Sequence, residues 1–102
     1  MNEIKIPKSV MLFGQRYQVE YNEKLHHSDS ARGMAYHRTQ KIELLPDTPT
    51  FPVSRQQMEV TFLHELLHIC LNEMSECELR DNEKFVDILA NLLHQAFSQA
   101  EY

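Results

Sequence analysis

The chain is poor in the residues that mark non-globular proteins. Its 102 residues include 2 glycines and 4 prolines, too few for a collagen-like, linker-like or low-complexity chain. The 10 basic residues form no run and are outnumbered by 15 acidic ones, for a formal charge of −5. That balance argues against a nucleic-acid partner held through its phosphates. No apolar run approaches the roughly 20 residues that a membrane-spanning helix needs, so no membrane partner is expected. The opening Met1-Asn2-Glu3-Ile4-Lys5 lacks the apolar stretch of a secretory signal, and a cytoplasmic location is expected. Cys70 and Cys77 are the 2 cysteines. On one helix or its exit they would stand about 10 Å apart along the axis. A disulfide spans about 7 Å at most between Cα atoms, so reduced thiols are expected.

What is present is ordinary for a globular protein: 42% hydrophobic and 25% charged residues, enough for a single domain over residues 1–102. The first half alternates with period 2. Ser9–Phe13, a turn at Gly14-Gln15 with glycine placed for type II′, and Tyr17, Val19 and Tyr21 read as a hairpin. Asn22–Gly33, with His26, His27 and Asp29, is polar and reads as a solvated surface loop. A second strand pair follows at Met34–His37 and Lys41–Leu45, ended by Pro46, Pro49 and Pro52.

From Ser54 the period becomes 3.6. Ser54-Arg55-Gln56-Gln57 fits a capping box, with Val53 and Met58 as its hydrophobic staple. A helix to about Met74 is expected, apolar round most of its circumference and so buried nearly all round. A second helix starts at Asp81 or Asn82 and runs to about Gln99. Its expected core stripe is Phe85, Val86, Leu89, Leu92, Leu93, Ala96 and Phe97. The fold class is α+β: a small, mostly antiparallel N-terminal sheet, then two packed helices.

The first of these helices carries His64-Glu65-Leu66-Leu67-His68. Histidines at i and i+4 lie about 40° apart on a helix face, so both imidazoles can converge on one ion. Glu65 sits about 100° from His64, where its carboxylate misses the ion yet reaches a water held there. This is why zinc hydrolases use the H-E-x-x-H spacing: the ion acidifies the water and the glutamate takes its proton. A third ligand is required. Glu83, on the first turn of the second helix, is the best candidate, with Asp87 one turn on to accept the free N–H of a histidine. Glu76, Cys77, Glu78, Asp87 and His94 are its rivals. Tyr36 and His37 could serve as oxyanion donors, but tyrosines on alternating strands usually pack, and packing is the reading adopted for both residues. Met11, Met34, Met58 and Met74 read as core filler.

With these residues the chain resembles zincin metallopeptidases of the gluzincin type. More narrowly, it resembles the small ImmA/IrrE-like proteins carried by phages and mobile elements. The resemblance runs through Phe13-Gly14-Gln15-Arg16-Tyr17-Gln18-Val19, Gln40-Lys41-Ile42-Glu43-Leu44, Thr61–Ile69 and Glu83–Asn91. It implies a zincin-like core with Zn2+ on His64 and His68, Glu65 as base, and a downstream glutamate, here Glu83, as third ligand. It also implies a sheet edge, Met34–His37 or Lys41–Leu45, that holds an extended peptide. In so small a chain, substrates would be flexible peptides or exposed loops, or a protein partner would complete the cleft. The expected function is zinc-dependent hydrolysis of a peptide or protein substrate. The alternative is a metal-binding regulatory module of phage or mobile-element origin that cleaves nothing on its own.

Overall fold

Strands β1 (Ser9–Leu12) and β2 (Gln15–Tyr21) form the first hairpin, with Leu12 opposite Gln15. The two turn residues are Phe13 and Gly14, both at positive φ (52° and 77°). The turn therefore falls one residue earlier than expected. Positive φ at both central positions gives the type I′ sense, which follows the strand twist, rather than type II′. Strands β3 (Gly33–Tyr36) and β4 (Lys41–Leu44) form the second hairpin. The computed structural model describes residues 2–25 and 32–102; the loop expected to carry His26, His27 and Asp29 lies largely outside the described residues.

The sheet order is β1-β2-β4-β3. Its outer pairs are antiparallel, but β2 and β4 run parallel. The sheet is therefore mixed, because the second hairpin docks on the first through its second strand. That docking buries β4 and leaves β3 at the edge.

Helix α1 (Arg55–Glu73) starts with the full capping box: the Ser54 side chain accepts from the Gln57 N–H, and the Gln57 side chain accepts from the Ser54 N–H. No residue from Met58 to Glu73 is exposed. Tyr17, Ile42 and Leu44 from the sheet pack with Phe62 and Ile69 in the main core. Val53 joins Leu25 and Leu45 in a second cluster, with Met58 against it. A short helix α2 (Cys77–Asp81) lies in the connection between the two expected helices, and Asn82 both ends α2 and caps α3 (Glu83–Ser98). Both cysteines are free thiols. Among the described residues no helix is long and apolar enough to cross a membrane.

α3 corrects the expected core stripe. Its buried row is Val86, Ala90, His94 and Ser98, while Leu92 and Phe97 are 57% and 56% exposed. The rotation follows from what α1 presents. Buried Glu59 on α1 accepts from His94 Nε2 at 2.8 Å, and a buried carboxylate left without such a partner would cost several kcal/mol, roughly. Ala90 and Ser98 lie on the same row as His94.

Candidate metal centre

His64, Glu65 and His68 lie in the middle of α1, and Glu83 is the first residue of α3. Because Asn82 is shared by two helices, the chain turns sharply there and α3 begins beside the histidine pair. The Asn82 side chain fixes that start by accepting from the Phe85 N–H at 3.0 Å.

The resulting contacts are close. His64 Nε2 lies 3.0 Å from Glu83 Oε2, His68 Nε2 lies 3.0 Å from Glu83 Oε1, and the two Nε2 atoms are 3.1 Å apart. The rings stand at 57° to each other with centroids 4.8 Å apart, so the nitrogens meet edge on without stacking. His64 and His68 are mostly buried and Glu83 is 69% exposed. The site thus has a closed helical wall and one side open to solvent.

The remaining ring nitrogens show which atoms are free to bind. A ring N–H of His68 donates to the backbone carbonyl of Arg80, and His64 Nδ1 stands 3.6 Å from Asp87 Oδ1. With the ring protons on the outer nitrogens, both Nε2 atoms would present lone pairs to each other and to the Glu83 carboxylate. Acceptors about 3 Å apart repel unless a proton or a cation lies among them. Tetrahedral zinc at about 2.0–2.1 Å from each ligand sets its donor atoms about 3.3 Å apart, close to the observed spacing. Two imidazoles and a carboxylate are a donor set that such an ion takes. The His64, His68 and Glu83 group can therefore hold a metal ion.

Glu65 stands beside the two histidines on α1 and lines the same cleft. It is buried, and the backbone N–H of Ala35 on β3 donates to its carboxylate. Burial pushes its pKa up to about 7, helped by the charge of Glu83 and opposed by His64 and the Ala35 N–H. Burial also holds the His68 imidazole below the ordinary histidine range, against the attraction of Glu83; the neutral ring is the form that binds metals. A cleft of about 350 Å³ is lined by His64, Glu65, His68 and Glu83 together with Gly33, His37 and Arg80.

The rivals for third ligand lie elsewhere. His94 is buried against Glu59, Asp87 approaches only the outer nitrogen of His64, and Glu76, Cys77 and Glu78 are exposed around α2. Tyr36 turns to the opposite face of the sheet, where Lys41 stands 5.1 Å over its ring. Two contributions escaped the sequence reading. The Arg80 carbonyl orients His68, but a backbone group leaves no residue-type signal. In the sequence Gly33 only closes a polar loop, yet it is the place where β3 touches α1: a Cβ there would stand 2.6 Å from Thr61 Cγ2. Compared with protein-family models, with curated proteins and with solved structures, the chain matches none.

Proposed function

We propose that the chain is a zinc-dependent metallopeptidase of the zincin type, holding Zn2+ on His64, His68 and Glu83 and using Glu65 as general base. The observation that carries this reading is the meeting of two imidazole nitrogens and the two oxygens of Glu83 at 3.0–3.1 Å beside a buried carboxylate. When bound, zinc supplies Lewis acidity, lowering the pKa of a water and polarising a carbonyl. The rest belongs to the chain itself. Glu65 takes the proton from that water and passes it to the leaving amine. The Ala35 N–H holds the Glu65 carboxylate in place for both steps.

β3 gives the substrate a place. The Arg32 carbonyl accepts from the Leu45 N–H at 2.8 Å, so by the alternation of antiparallel pairing the backbone groups of Gly33 and Ala35 point away from β4. With the Ala35 N–H taken by Glu65, the Gly33 groups and the Ala35 carbonyl are the ones offered at the open edge. An extended peptide laid along that edge would pass the cleft, held by main-chain hydrogen bonds. Flexible peptides or exposed loops of cytoplasmic proteins suit such an open site.

Metal content after purification without chelators tests the reading. About one zinc per chain is expected, retained in Glu65→Gln and lost in His68→Ala and Glu83→Ala. Glu65→Gln should abolish cleavage of a mixed peptide pool. No zinc in the wild type, even when offered at neutral pH, would overturn the proposal. Zinc bound with no cleavage would instead assign the site to a metal-binding regulatory module.

A further inference from the structure

We infer that His37 is a further catalytic residue of this site, its Nε2–H donating to the carbonyl oxygen of the bound peptide. The inference rests on the peptidase reading above and replaces the packing role that the sequence suggested for this residue.

His37 directly follows β3 and begins the turn to β4. Strand alternation places it in the row of Gly33 and Ala35, the row that faces α1. Its ring lines the cleft shared by His64, Glu65 and His68. The decisive feature is Nδ1, which is the one buried side-chain nitrogen or oxygen without a hydrogen-bond partner among the described residues. A histidine kept for packing normally has its buried nitrogen satisfied.

The orphan fixes the tautomer. A proton on Nδ1 would bury an unpaired donor, and such orphaned N–H groups are rarer in folded proteins than bare acceptors. The ring therefore keeps Nδ1 as a lone pair and carries its proton on Nε2. Among the described residues Nε2 has no protein partner and is not buried without one, so it is the nitrogen free to meet a ligand in the cleft. A peptide along the β3 edge passes Ala35 and then His37. The carbonyl that Glu65 serves from one side is thus met by an N–H from the other. His37 transfers no proton: it donates a hydrogen bond that shortens as negative charge builds on the oxygen while the carbonyl carbon becomes tetrahedral.

The first measurement is the tautomer, read by two-bond 1H–15N NMR on the zinc-loaded protein. A protonated Nε2 and a bare Nδ1 on His37 are expected; a proton on Nδ1 would overturn the inference whether or not the protein is a peptidase. The second is calorimetric binding of a peptide phosphonamidate, whose anionic oxygens imitate the tetrahedral carbon's, to zinc-loaded wild type, His37→Phe and His37→Gln. Loss of the donor in His37→Phe should weaken binding by about 100-fold, with zinc content unchanged. His37→Gln, whose amide can place an N–H near the same point, should recover most of it. Wild-type binding that His37→Phe leaves intact removes the role of His37 alone. Failure of the wild type to bind the analogue removes the peptidase reading and this role with it.

Discussion

Gly33 on the edge strand and Thr61 on α1 approach so closely that a Cβ on the glycine would stand 2.6 Å from Thr61 Cγ2 and 3.1 Å from Glu65 Cγ. That closeness brings the Ala35 N–H to the Glu65 carboxylate. Gly33→Ala should therefore cost about 1–3 kcal/mol, as overpacking does, and should reduce peptide cleavage by more than the lost stability explains. Thr61→Ser removes the obstructing methyl and should restore most of both. A double-mutant cycle by urea denaturation checks this; additive losses would show that the two residues do not meet.

Much of this arrangement is legible in the sequence, for identifiable reasons. Ser54 and Gln57 announce the start of α1 because capping depends on local residue types, and both of their hydrogen bonds form. The spacing of His64, His68 and Glu83 is equally local, apart from the turn at Asn82 that joins its two parts. What escaped depends on long-range partners. The parallel pairing of β2 with β4 is a choice between docking edges that alternation does not encode. The rotation of α3 is set by a buried polar pair, Glu59 and His94, whereas a hydrophobic stripe counts only apolar residues. Likewise, the role of Gly33 depends on a helix that begins over 20 residues later.

The rotation of α3 makes an inverted prediction for its mutants. Leu92 is 57% exposed and Ala90 fully buried. Leu92→Gln should change stability by no more than about 0.5 kcal/mol. Ala90→Leu should cost about 1–3 kcal/mol by forcing α3 away from α1. The opposite ranking in urea melts would restore the stripe expected from periodicity.

Metal binding should appear as stability. An ion that binds only the folded chain contributes about 2.7 kcal/mol at a free concentration one hundred times its Kd. In a chain of this length that corresponds to a rise in Tm of roughly 10 °C or more. His68→Ala and Glu83→Ala should abolish the zinc-dependent rise. Asp87→Ala should keep it but require about tenfold more zinc, because Asp87 acts only on the outer nitrogen of His64, at 3.6 Å. An Asp87→Ala protein with unaltered zinc affinity would show that this carboxylate does not orient His64.

The Glu59 pair predicts how acid weakens the fold. Burial alone would raise the Glu59 pKa, but hydrogen bonds from His94 on α3, from Arg55 on α1 and from the backbone N–H of Ile4 outweigh it and hold the carboxyl below the 4.5 of a free glutamate. A depressed folded value means that the unfolded chain takes up its proton first as pH falls. The stabilisation is therefore fully present above about pH 4.5 and is lost as pH drops through the folded value. Glu59→Gln keeps an acceptor for His94 but has no charge to lose. It should be about 1–3 kcal/mol less stable than wild type near neutrality, and the gap should close progressively below about pH 4.5. Urea denaturation of both proteins across that range checks it. Parallel profiles, with a constant gap down to about pH 3, would mean that the Glu59 charge contributes nothing to folding and that its partners only fill space.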